Sequence, residues 1–293
     1  MRLLNIFILL FLFGTFSCQQ NKTEKKENVL TVSILPQKFF IEKIAGDDFQ
    51  INVLIPLGAS PATYEPTPIQ MIKVSRSLAY FRIGHIQFEE AWSSKIIESA
   101  PNTKVFNLSK VVHLIQNQGH QHGDHFHAGG IDPHIWSSPK TVEKIVIELY
   151  SDLVQLAPKQ EEKYKKHLNL FLNKIRALDQ LATDEFTGKG DKAFMIFHPA
   201  LSYLARDYGL KQIAIEMEGK EPSPSYMQHL VLEARKYNIR TIFIQKQFNK
   251  ENAETLAREI GAKVVAIDPL SENWLMEMEN IIRQLNGNSN SKF

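Results

Sequence analysis

Half of the chain's ten histidines fall within residues 119–136, which read GHQHGDHFHAGGIDPHIW. His120, His122, His125 and His127 sit among Gly, Gln and Asp. Those neighbours suit a solvated loop, not a strand or a helix core. His134 stands in a tighter setting, Asp-Pro-His-Ile-Trp, just ahead of a helix start. A loose group of imidazoles beside one ordered imidazole suggests a divalent metal, zinc first. The competing reading is a polar loop in which histidines happen to cluster.

Elements on both sides of this stretch must position the remaining candidates. Short β-branched or apolar runs at 29–35, 50–55, 78–83 and 104–108 predict strands. Between them, 37–45, 67–75 and 89–99 carry helical patterns. Ser138-Pro139 offers an N-cap followed by Pro at the first helical position. Val142, Ile145, Leu149, Leu153 and Leu156 then form one apolar face. Pro158 opens a second helix, with Tyr164, Leu168, Phe171, Ile175 and Leu178 at spacings of three and four. Neither Gly nor Pro interrupts 159–186, so this helix spans about 40 Å. A second set of strands (193–197, 211–214, 241–244, 263–267) alternates with helices (201–208, 225–237, 250–260, 274–285). The expected fold is α/β: two lobes with mostly parallel sheets, joined by one long rigid helix. The expected boundaries are 28–156 for the first lobe, which carries the His-rich loop 119–130, then 157–186 for the linking helix and 187–293 for the second lobe. The polar tail 286–293 is expected to fray.

This layout gives the scattered residues a common edge. His198 follows the strand 193–197, Asp268 follows 263–267, and His85 lies two residues beyond 78–83. Ligands of open parallel sheets bind outside the carboxyl ends of the strands. His85, His134, His198 and Asp268 together offer three imidazoles and a carboxylate, a set that four-coordinate zinc accepts. Each residue alone would more readily be a hydrogen-bonded structural group; their joint placement reverses that.

Composition narrows the remaining classes. At 293 residues with 43% apolar content, about two domains with real cores are expected. Lys and Arg total 34 against 32 acids, a balance that argues against a nucleic-acid partner. The single cysteine, Cys18, excludes an internal disulfide and a Cys-based zinc finger. Arg2, the apolar run 3–13 and the small residues before Cys18 make a signal peptide over 1–18. The apolar run is too short for a membrane span of ~20 residues. Cys18 resembles the lipid-attachment cysteine of bacterial lipoproteins, although Thr15 stands where Leu is usual and Phe16 is bulky. Lipidation would hold the protein at a membrane surface; ordinary cleavage would release it. Residues 19–27 read as a flexible tether. The expected location is the cell envelope, outside the cytoplasm.

Four motifs carry a family resemblance: PLGASPATYEPTP (56–68), DPHIW (132–136), FHPA (197–200) and IDPL (267–270). Over residues 29–285 the chain resembles the metal-binding lipoproteins that serve zinc and manganese ABC importers. The resemblance implies two α/β lobes on a rigid helix, a divalent metal bound in the cleft, delivery to a membrane permease, and no catalysis. It implies His134, His198 and Asp268 as metal ligands, and the His-rich loop resembles that of the zinc members. Manganese remains the alternative cargo, and a monomer is expected. Ala62 departs from the pattern, because the family commonly has a metal-binding His within the first motif. His85 is the favoured replacement, ahead of water or Glu65. Among rivals from other classes, a zinc hydrolase lacks any His-Glu-x-x-His or Gly-x-Ser-x-Gly signature. Glu216 and Glu218, its conceivable bases, read as solvated. An adhesin finds no support in repeats or an apolar stripe.

Overall fold

The computed structural model describes residues 28–116, 121–122, 125–126, 130–186, 188, 193–216 and 222–287. The expected leader with Cys18, the tether to residue 27, His120, His127, Glu218 and the tail beyond 287 lie outside them.

The first sheet holds β1 (Val29–Val32), β2 (Gln50–Val53), β3 (Ala79–Arg82) and β4 (Lys104–Asn107), all parallel, in the order β2-β1-β3-β4. Its crossovers are α1 (Leu35–Ala45), α2 (Pro68–Arg76) and α3 (Gln87–Ser99). The central strands β1 and β3 are almost wholly buried, whereas β2 and β4 at the edges are partly exposed. Continuous Val/Leu/Phe runs suit strands covered on both faces. β1 stops three residues before the expected run does. Pro36 fits the first turn of α1, and Gln37 folds back to accept hydrogen bonds from the Ser33 and Ile34 amides.

β5 (Gln121–His122) and β6 (His125–Phe126) form a short antiparallel pair with His122 opposite His125. Part of the expected loop is therefore a two-residue ladder. Next come α4 (Pro139–Leu156) and α5 (Glu161–Phe186), separated by a 3₁₀ turn over Pro158–Gln160. Ser138 precedes α4, but its side chain does not cap the helix; Oγ donates to Asp207 Oδ2 at 2.5 Å.

The second sheet contains β7 (Ala193–Ile196), β8 (Lys211–Ala214), β9 (Thr241–Gln245) and β10 (Lys263–Ile267), again parallel. Its order, β8-β7-β9-β10, repeats the winding of the first. The surrounding helices are α6 (Ser202–Tyr208), α7 (Pro224–Lys236), α8 (Glu251–Ile260) and α9 (Trp274–Leu285). In each sheet strand order reverses beside the first strand, opening a crevice at the carboxyl ends.

One apolar core runs through both lobes. It takes in Leu30 and Phe81 from the first sheet, Leu149 of α4, Phe171 of α5, and Phe243 and Trp274 from the second lobe. The apolar stripe of α5 packs on α1, α4 and α9. Phe40 meets Trp274 edge to face at 5.3 Å. The indole N–H of Trp136 donates to the Pro269 carbonyl at 2.9 Å, and that of Trp274 to the Trp136 carbonyl at 2.8 Å. Truncating a buried aromatic of this kind costs about 3–5 kcal/mol. A separate cluster under α7 and α8 fills the far face of the second sheet.

Candidate metal centre

His134 begins the 3₁₀ turn Ile135–Ser137 ahead of α4. Asp132, two residues earlier, fixes it twice. Its Oδ1 accepts from the His134 backbone N–H at 2.9 Å and lies 2.9 Å from the ring Nδ1. Asp132 is itself held from both lobes: its amide donates to the Ile115 carbonyl, and its carbonyl accepts from the Tyr203 hydroxyl at 2.7 Å. Burial pushes the pKa of the His134 ring down, against the pull of the Asp132 carboxylate, so the neutral ring is favoured. The His134 partner in turn keeps the Asp132 carboxyl below its ordinary range despite burial.

His198 lies two residues beyond the end of β7. Gln245, the last residue of β9, grips its backbone from across the crevice: the Gln245 side-chain amide donates to the His198 carbonyl at 2.7 Å. Glu216 Oε1 lies 2.5 Å from His198 Nδ1, and Phe248 stacks on the ring at 5.3 Å. Glu216 is buried, not solvated as expected. It follows β8, the neighbour of β7, so it too occupies the binding edge.

The two rings meet through their other nitrogens, with Nε2 of His134 3.1 Å from Nε2 of His198. The tautomers follow from the network. A carboxylate at each Nδ1 fixes the ring proton there, which leaves a lone pair on each Nε2. Two lone pairs at that separation repel unless a proton or a cation lies between them.

Asp268 directly follows β10 and is buried. Its amide donates to Glu277 Oε1 at 2.8 Å, its Oδ2 lies 3.5 Å from Lys246 Nζ, and its Oδ1 has no hydrogen-bond partner among the described residues. Burial, reinforced by the Asp268 charge, raises the Glu277 pKa.

His85 lies on the turn after β3, half-buried, with φ +47°. Gly84 before it has φ +91°, and a Cβ there would come within 2.5 Å of Ser109 Oγ, so only Gly fits. Glu89, fully buried at the start of α3, accepts from the Ile83 and Gly84 amides at 2.8 and 2.7 Å and clamps the turn. The loop with Ala62 rests on the same segment, since the Pro61 carbonyl accepts from the Phe88 amide at 3.0 Å. Glu65 lies on that loop.

The structure thus joins His134 to His198 directly and gives neither a direct contact with His85 or Asp268. Among the described residues, no group of three or more His, Cys, Asp or Glu is set closely enough to hold a metal ion. For His122 and His125 only the backbone pairing is described. Asp132 and Glu216 were legible in principle, one from Asp-Pro-His and the other from its position after a strand.

Two like-wound parallel sheets fastened by one helix, with imidazoles paired between the lobes, define a two-lobed α/β binding protein. The chain belongs to the family of periplasmic component A of zinc-uptake complexes, ZnuA, whose profile matches residues 30–287. It is 29% identical over 274 residues to the high-affinity zinc uptake system protein ZnuA of Bacillus subtilis strain 168, covering 90% of this chain and 85% of that one. It is 27% identical over 293 residues to the zinc-binding lipoprotein AdcA of Streptococcus pneumoniae TIGR4, covering 94% of this chain. The chain spans only 58% of the length of that relative. A zinc-bound ZnuA deletion mutant superposes with a TM-score of 0.81 at 32% identity, covering 91% of this chain and all of that one.

Proposed function

We propose that the protein binds one zinc ion in the cleft, outside the cytoplasm, and hands it to an ABC permease for import. The observation that carries this is the 3.1 Å approach of two Nε2 atoms whose Nδ1 atoms are both held by carboxylates. Zn–N bonds of ~2.0–2.1 Å in a tetrahedron separate two ligand nitrogens by roughly 3.3 Å. The pair is therefore spaced for zinc. Asp132 and Glu216 are the outer carboxylates that orient metal-bound imidazoles and strengthen them as donors.

His134, His198 and Asp268 are the ligands in this reading, and the unpartnered Oδ1 of Asp268 is a lone pair awaiting a cation. His85 is the fourth. The loop that lacks a histidine at Ala62 is hydrogen-bonded to the first turn of α3, just after His85, so in this reading one imidazole takes the place of another. Metal is cargo, and the protein turns nothing over. Cys18 is the lipid attachment point of a monomer, and no helix among the described residues is long and apolar enough to cross a membrane. His120, His122, His125 and His127 supply weaker accessory sites.

Elemental analysis of protein purified without added metal, followed by calorimetric titration of the stripped protein, tests the reading. One tight equivalent of zinc that is lost in His134→Ala and His198→Ala is expected. Manganese bound as tightly as zinc, or tight zinc binding that survives both substitutions, would refute it.

A further inference from the structure

Asp268 keeps company with a cation of the protein's own. Parallel pairing of β9 and β10 sets Gln245 opposite Ile267, so the next residues, Lys246 and Asp268, leave the sheet side by side. Lys246 Nζ reaches to 3.5 Å from Asp268 Oδ2. The carboxylate side chain is 8% exposed, whereas the lysine is 65% exposed. The other near neighbour of Asp268 is a second carboxylate, Glu277, on its amide. A buried aspartate beside another acid, with one oxygen unpartnered, needs a positive charge. The solvated lysine supplies that charge and can swing away at little cost, since its head is already in water.

We propose that Lys246 is a resident counter-cation for Asp268, which incoming metal displaces and which recaptures the carboxylate as metal leaves. This rests on Asp268 being a metal ligand. Lys246 is then a positioning residue: it holds Asp268 in place without metal, weakens metal binding by competing for the carboxylate, and speeds release. The same side chain stabilises the metal-free protein and opposes the loaded one.

That opposition gives the test. Full-length Lys246→Met, Lys246→Gln and Lys246→Arg proteins are stripped of metal. Zinc Kd is measured against a chromophoric chelator, zinc release is followed into excess chelator, and thermal midpoints are recorded without metal. For Met and Gln, zinc Kd should fall by about three- to ten-fold, because an ion pair and a nearby positive charge are removed. Release should slow in proportion. The metal-free midpoint should drop by about 2–4 °C as Asp268 loses its partner. Arg should stay near the parent in all three. Placed on Asp268→Asn, which itself should bind zinc poorly, Lys246→Met should change nothing. Unchanged or weakened zinc binding in Lys246→Met, alongside weak binding in Asp268→Asn, would overturn the role of Lys246 alone. Parent-like zinc binding in Asp268→Asn would remove Asp268 from the metal site and overturn both.

Discussion

Asp152 offers a quantitative test of how burial acts within this fold. It lies on α4 with 1% of its surface exposed, and neither carboxylate oxygen has a hydrogen-bond partner among the described residues. Lys110, whose charge acts on Asp152, is engaged 2.6 Å from Glu148, one turn earlier on the helix. Burial pushes the Asp152 pKa up to about 6, from an ordinary 3.8. An acid whose folded pKa is raised binds its proton more tightly in the folded state. Its contribution to stability is therefore fullest below about pH 4 and declines as pH rises through 6. At roughly 1.4 kcal/mol per unit, the ionised side chain costs on the order of 3 kcal/mol above pH 7. Asp152→Asn keeps the shape and cannot ionise. Urea unfolding of the metal-free proteins from pH 4 to pH 8 should show near-equal stabilities at the acid end. The variant should gain about 2–3 kcal/mol at the alkaline end. A difference that does not vary with pH, or a variant less stable at pH 8, would show that the carboxylate is favourably paired and refute the reasoning.

Glu216→Gln should weaken zinc binding by roughly 10–100-fold while leaving the fold intact, measured by chelator competition and circular dichroism. His85→Ala should weaken tight zinc binding as severely as His134→Ala, and Glu65→Gln should matter less; the reverse order would assign the fourth ligand to the Ala62 loop. Zinc affinity should fall as pH drops below the ordinary imidazole range, since protons compete for the same Nε2 lone pairs. Burial already lowers the His134 pKa, so that ring should stay neutral below the ordinary imidazole range, which titration of its ring signals by NMR would detect. Deleting residues 119–127 should remove only the weaker zinc equivalents in a titration and leave the tight one.

Much of this arrangement is readable along the chain, because parallel α/β units place the residue after each strand at a common edge. His198 and Asp268 fall at that edge by this rule, and His134 stands out by its setting between a proline and a helix start. What depends on strand order was not readable. Glu216 supports His198 only because β8 lies beside β7, and Lys246 reaches Asp268 only because β9 and β10 pair in one register. The polar look of residues 216–220 suggested solvent, whereas adjacency to the crevice buries Glu216. Ser138 shows the same limit: local pattern marks it as a cap, and tertiary contact with Asp207 takes its hydroxyl instead. β1 ends at Val32 because Gln37 captures two amides that a longer strand would have used.

The interlocked indoles of Trp136 and Trp274, with Phe40 edge-on against the latter, have a consequence for signalling. A binding protein with a loose waist reports its cargo by folding in half, and any docking partner can feel that change of outline. Here the waist is cemented, so the outline should stay the same whether or not metal is aboard, and solution scattering curves of the two forms should superimpose. Under the zinc-carrier reading proposed above, the sign that metal is aboard is then written in the lettering of the rim: the turn bearing His85, the Ala62 loop near it, and the head of Lys246. A permease that accepts only the loaded carrier would be reading a few side chains rather than a posture.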